Sequence, residues 1–124
     1  MKTVSDKNQE LIKRYYALLD SNKLDESMEY FSENAVLKFN SETINGREGI
    51  SSALGGIVSS VNGIRHVLTN VWEVEEDLIF LECDVIYSRK DNQQIVVKAA
   101  AINEIENGMI KEQRIYVDLS PVFA

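Results

Sequence analysis

The first half of the chain carries its apolar residues at helical spacing. Between Asp6 and Ser21, Leu11, Tyr15, Leu18 and Leu19 fall at i, i+4, i+7 and i+8, one stripe of an amphipathic helix. Asp6 followed by Gln9 reads as a capping pair, a carboxylate placed to accept the orphan amides of the first turn. A short second helix is expected near Asp25, with Leu24, Met28 and Phe31 on one face. A third is expected from Arg47 to Ser60, burying Ile50, Leu54, Ile57 and Val61. Its Gly55-Gly56 pair costs about 1 kcal/mol of helix propensity per glycine, which points to close packing there.

In the second half the period changes from 3.6 to 2. Strands are predicted at Ile64–Glu75, Leu78–Ser88, Ile95–Ile105 and Met109–Leu119, with a shorter one at Val36–Asn40. Glu76-Asp77, Asp91-Asn92 and Asn107-Gly108 are turn signals, and the last favours a type I′ hairpin. Successive hairpins imply an antiparallel meander. Helices in front and strands behind give an α+β fold with the helices covering one sheet face. No repeat, low-complexity tract or linker interrupts the 124 residues, so residues 1–124 read as one domain.

Composition narrows the function by exclusion. There are 13 basic and 20 acidic residues, for a net charge of −7, which disfavours phosphate backbones and argues against nucleic-acid binding. A single cysteine, Cys83, and a single histidine, His66, leave a disulfide without a second thiol and a metal site short of ligands, so no metal or cofactor is expected. No secretory leader or membrane-length apolar run is seen, and a cytoplasmic location is the expectation.

The strand from Ile64 holds the first candidate chemistry. Strict alternation puts Ile64, His66, Leu68, Asn70, Trp72 and Val74 on one face, an apolar row that embeds two polar groups. Buried polar groups cost roughly 1–3 kcal/mol each when unpaired, so such a face fits either a cavity wall or a core in which the histidine is structurally satisfied. Ala99, Ala100 and Ala101, poor strand formers of small volume, would leave room for a ligand, for close approach of a partner sheet, or for tight helix-on-sheet packing. On the last strand Glu112, Arg114, Tyr116 and Asp118 share one face, and Ile115, Val117 and Leu119 the other. The run Glu73, Glu75, Glu76 and Asp77 reads as a solvated hairpin end.

The segments Arg14-Tyr15-Tyr16-Ala17-Leu18-Leu19, Asn22-Lys23-Leu24-Asp25 and Tyr30-Phe31-Ser32-Glu33-Asn34-Ala35-Val36 resemble the entrance of the nuclear-transport-factor-2-like superfamily. Asn45-Gly46-Arg47-Glu48-Gly49-Ile50 resembles the turn into its third helix. His66 to Glu73 (HVLTNVWE) and Arg114 to Pro121 (RIYVDLSP) resemble its SnoaL-like, polyketide-cyclase branch. The resemblance covers nearly the whole chain. It implies three helices packed on the concave face of a strongly curved antiparallel sheet, a cone with a pocket inside. It also implies a homodimer, which would cover Ile115, Val117 and Leu119 through the outer sheet face. The superfamily holds ketosteroid isomerase, limonene epoxide hydrolase, scytalone dehydratase, SnoaL-like cyclases and non-catalytic binding modules, so fold alone does not settle function.

Carried over position by position, Tyr15 matches the oxyanion tyrosine of ketosteroid isomerase. That family's general-base aspartate falls near Phe39 and its second oxyanion donor near Ala100, neither of which can act so. The epoxide hydrolase arrangement finds only Lys98 on Val96–Ile102. The acidic acid/base residue of the cyclases matches Asp118. The resulting expectation places His66 and Asp118 in one cavity as an acid/base pair. Tyr15 would donate to a developing oxyanion, while Trp72 and Tyr116 serve as flat walls and Arg114 as a ligand anchor or an ion-pair partner. The ligand would be a small, largely apolar ring or carbonyl compound. The alternative is a non-catalytic binding or dimerisation module of the same fold, which a cavity filled by its own side chains would favour.

Overall fold

A computed structural model describes residues 3–124. Helix α1 (Asp6–Asp20) is followed by α2 (Leu24–Ser27), a 3-10 turn at Met28–Tyr30, β1 (Phe31–Phe39), β2 (Glu42–Asn45) and α3 (Arg47–Ser59). Four long strands complete the chain: β3 (Gly63–Glu75), β4 (Leu78–Ser88), β5 (Gln94–Glu106) and β6 (Met109–Val117). They form one six-stranded sheet in the order β2-β1-β6-β5-β4-β3, curved and unclosed, with the helices on its concave side. The expected α+β architecture of three helices on a curved sheet is the one observed. One pairing departs from the antiparallel expectation: β1 runs parallel to β6, because the chain passes through β2 and α3 and the whole meander before returning to it.

Local chemistry explains most boundaries. Ser5, not Asp6, caps α1, its hydroxyl accepting the Asn8 amide hydrogen at 3.3 Å. The buried face of α1 is Asn8, Leu11, Ile12, Tyr15 and Tyr16, so the stripe is wider than the spacing of leucines suggested. Asn107 and Gly108 both take positive φ, 54° and 74°, as a type I′ turn requires. Asn40 ends β1 at φ 53°, where its side-chain amide bonds both the N–H and the carbonyl of Val117 and so extends the ladder by one residue. The core lies between α1, α3 and the sheet, with Ile12, Tyr15, Phe31, Leu37, Ile50, Ile79, Leu81 and Ile110 sealed from solvent. Among the described residues no helix is long and apolar enough to cross a membrane.

Curvature comes from bulges, and these also decide which side chains face inward. The β3–β4 register slips between Leu68 and Asn70 and again between Glu73 and Glu75, and β5–β6 slips between Glu104 and Ile105. Before the first slip Ile64, His66 and Leu68 face the helices; beyond it Val71 and Glu73 do. One inserted residue reverses every later side chain. Strict alternation therefore fails at Asn70, which lies exposed with its amide on Glu82 at 3.0 Å, and at Trp72. The same slip turns Glu73 inward, where it is buried and not part of a solvated hairpin end.

Candidate functional site

Between α1, α3 and the sheet lies an apolar cavity of about 70 Å³. Helix α1 supplies Tyr15, Tyr16 and Leu19, and α3 supplies Leu54, Ile57 and Val58. The sheet contributes Phe39, Ile64, His66, Cys83, Val85, Tyr87, Ile115 and Val117, with Ala99, Ala100 and Ala101 forming a shallow stretch of wall. The short alanine side chains leave the space, as expected of them. No Asp, Glu, Lys or Arg lines it, so its polar chemistry is confined to one imidazole, three phenols and a thiol. Among the described residues no group of three or more His, Cys, Asp or Glu side chains is arranged to hold a metal ion.

His66 is the one imidazole in the lining. Its Nδ1 lies 2.6 Å from Asp20 Oδ1, and its backbone N–H donates to Asp20 Oδ2 at 2.8 Å. One carboxylate thus grips both the ring and the main chain of the histidine. A carboxylate only accepts, so the neutral ring carries its proton on Nδ1 and leaves Nε2 as the basic nitrogen. Nε2 has no protein partner among the described residues and is not one of the sealed, unpaired polar atoms, which are Asn8 Oδ1 and Asn103 Nδ2. The imidazole is further held by the Tyr16 ring, 4.7 Å away between centroids.

Asp20 was not singled out from the sequence. It sits at the C-terminal end of α1, where the helix dipole disfavours an anion by about 0.3–1 kcal/mol. The signal was available: Asp20 follows Tyr16 by four residues and continues the inward stripe. What no local pattern could supply was its partner, 46 residues away on β3.

The other expected site residues separate. Asp118 is exposed beyond the end of β6, and its Oδ1 accepts the Ser120 amide hydrogen at 3.0 Å in a tight turn. That bond holds its carboxyl below the usual range and gives it a local structural role. It does not share a cavity with His66, because Val117, its neighbour, takes the inward position. Tyr15 lines the cavity with its ring, but its hydroxyl donates to Gln113 Oε1 at 3.3 Å, deeper in the core. Gln113 in turn donates to Asn103 at 2.8 Å, so Tyr15 anchors a buried polar chain instead of facing the ligand space.

Trp72, Tyr116 and Arg114 all face outward. Trp72 pairs with Phe80, and Tyr116, 48% exposed, pairs with Ala100. Arg114 is held by two carboxylates, Glu104 at 2.6 Å and Glu112, the ion-pair role that its sequence context allowed. Ile115 and Val117, expected to need cover from a second subunit, already line the internal cavity. On β6 the inner and outer faces are the reverse of the expectation.

A curved α+β cone enclosing a mostly apolar pocket defines the class. The SnoaL-like domain family matches residues 12–113, and the chain belongs to it. No curated protein sequence matches the chain. Among solved structures it is similar to TerC co-crystallised with polyporic acid (13% identity, TM-score 0.83, covering 95% of this chain and 96% of that one). It is also similar to an NTF2-like protein of unknown function from Burkholderia pseudomallei (10% identity, TM-score 0.84, 96% of each chain). A third similar structure is Bal32a from a soil-derived mobile gene cassette (22% identity, TM-score 0.78, 90% and 89%). At these identities the likeness speaks for the fold.

Proposed function

We propose that this protein is a cofactor-free acid/base catalyst acting on a small, largely apolar ring or carbonyl compound, with His66 moving the proton. One observation carries the reading: a histidine held by a carboxylate at 2.6 Å through Nδ1 lines an otherwise uncharged, apolar cavity. Asp20 sets the tautomer and stabilises the imidazolium that forms when Nε2 accepts a proton. Asp118 has no part in this chemistry.

The test is hydrogen exchange on a probe, 2-cyclohexenone, in deuterated buffer, followed by proton NMR. Deuterium should enter at the acidic carbons faster than buffer alone allows. His66→Gln should lower the rate by roughly 10²–10⁴-fold, the usual contribution of a positioned base. Asp20→Asn should fall in between and alter the pH profile. Binding without exchange above the buffer rate would transfer the chain to the second reading, a non-catalytic ligand-binding module. That reading is favoured by the small cavity and by Phe39 and Ala100 standing in its wall.

The protein is further proposed to be a homodimer through the outer sheet face. Trp72, Phe80 and Ile102 form a cross-strand row there, flanked by Ile86 paired with Val96, which is 58% exposed. Apolar rows on an open sheet face need cover. A solution mass of twice 14.1 kDa, returning to 14.1 kDa in Ile102→Lys, is the expected result.

A further inference from the structure

The sequence holds three Asn-Gly pairs, Asn45-Gly46, Asn62-Gly63 and Asn107-Gly108. Each carries the same latent chemistry. The side-chain amide carbon of an asparagine lies within ring-closing reach of the next backbone nitrogen, and a glycine there has no side chain to obstruct the approach. Sequence makes the three pairs alike. The fold ties down two of them and leaves one free.

Asn45 ends β2, and Gly46 leads into α3. The Gly46 N–H donates to the Ala35 carbonyl at 2.7 Å, and its own carbonyl accepts the Ile50 N–H at 3.0 Å. There the attacking nitrogen is occupied. Asn62 stands just before β3, where its backbone N–H donates to the Ser88 carbonyl at 2.7 Å and its side-chain amide to the Arg89 carbonyl at 3.3 Å. There the group to be attacked is occupied. Asn107 and Gly108 lie exposed in the two-residue turn between β5 and β6. Among the described residues, neither the Asn107 side chain nor the Gly108 N–H has a hydrogen-bond partner. A Cβ placed on Gly108 would meet no atom within 4 Å, so nothing crowds that nitrogen.

The remaining barrier is the turn itself. Asn107 sits at φ 54° and must leave that left-handed well before the ring can close. The opening is local, because Glu106–Met109 is the last pair of the ladder and the β5–β6 register already slips between Glu104 and Ile105.

We propose that Asn107 is a site of spontaneous deamidation and isoaspartate formation in the folded protein. The Gly108 nitrogen loses its proton to solvent base and bonds to Asn107 Cγ. The bond from Cγ to the side-chain nitrogen breaks, and that nitrogen takes up a proton and leaves as ammonia. Water then adds to either carbonyl of the five-membered imide and breaks the ring C–N bond there. One product is aspartate; the other is isoaspartate, with the backbone rerouted through Cβ and Cγ. Either adds a negative charge beside Glu106, which is already engaged by Lys111 at 3.4 Å. Isoaspartate also adds a backbone carbon to a two-residue turn that aligns Ile105 with the sealed Ile110, so the hairpin end frays.

The intact protein is aged in mildly alkaline buffer, in parallel with protein unfolded in guanidinium chloride. All three sites are followed by peptide mass mapping, and isoaspartate is counted by methyl transfer from labelled S-adenosylmethionine with an isoaspartate methyltransferase. In denaturant the three sites should convert at similar rates, as their sequences are alike. In the folded protein Asn107 should lead, with each other site slower by roughly 3- to 10-fold for every hydrogen bond it must first break. Equal rates at the three sites of the folded protein, a lead by Asn45 or Asn62, or an unchanged Asn107 while the unfolded chain converts would each overturn the proposal.

Discussion

Replacing Glu73 by glutamine removes a single charge from the junction of α1 with the β3–β4 hairpin. Glu73 Oε1 accepts the backbone N–H of Ser5 at 2.9 Å, and Oε2 accepts that of Asp77 at 2.9 Å. Oε2 also lies 3.5 Å from the amide nitrogen of Asn8, which itself donates to Asp77 at 2.9 Å. The residue caps the start of the helix and the hairpin turn at once. Glutamine keeps one acceptor and turns an NH₂ toward a second amide hydrogen. The loss is thus about one charge-assisted bond with a buried donor left unpaired, or roughly 2–3 kcal/mol. For a domain of this size that corresponds to a melting point lower by roughly 8–12 °C.

The pH dependence supplies the decisive check. The bond from Ser5 holds the Glu73 carboxyl below its ordinary value of 4.5, against the opposing effect of burial. A pKa lowered by folding means the unfolded chain binds the proton more tightly. The stabilisation is therefore complete above the ordinary value and fades as pH falls below it through the folded value. Urea melts of both proteins at neutral pH and at stepwise lower pH should show the difference between Glu73→Gln and wild type shrinking across that acidic window. A difference below about 0.5 kcal/mol at neutral pH, within the scatter of surface substitutions, would refute the reasoning. So would one that stays constant into acid.

Asp118→Asn should leave cyclohexenone exchange unchanged; a fall as large as that of His66→Gln would put the aspartate back at the reacting centre. Gly56→Ala, where a new Cβ meets no atom within 4 Å, should raise stability by about 0.5–1 kcal/mol in a urea melt through the stiffer unfolded chain. Gly55, whose Cβ would sit 3.4 Å from Leu24, is where the close approach expected of the glycine pair is found, and alanine there should gain less. Ala99→Leu adds three carbons to a 70 Å³ cavity and should abolish enone binding, read by NMR titration with 2-cyclohexenone, with the fold kept by circular dichroism.

The helical stripe of α1, the type I′ turn at Asn107-Gly108 and the α+β order were legible because each depends on neighbours a few positions apart. The roomy wall at Ala99–Ala101 and the inward place of His66 were legible for the same reason. Asn70, Trp72 and Glu73 were misplaced by one inserted residue near Leu68, a bulge whose existence depends on how β3 pairs with β4. Which face of β6 is inside also waited on tertiary structure, because Ile115 and Val117 suit either cover equally well.

What the chain determined by itself was periodicity, turns and the scarcity of titratable groups, all set by short-range sterics and residue chemistry. What only tertiary structure decided was partnership. Asp20 meets His66 across 46 residues, Tyr15 turns to Gln113 across 98, and Asp118 is left outside. Hydrogen bonds of that span have no local sequence signature, because the fold, and not the spacing, brings their ends together.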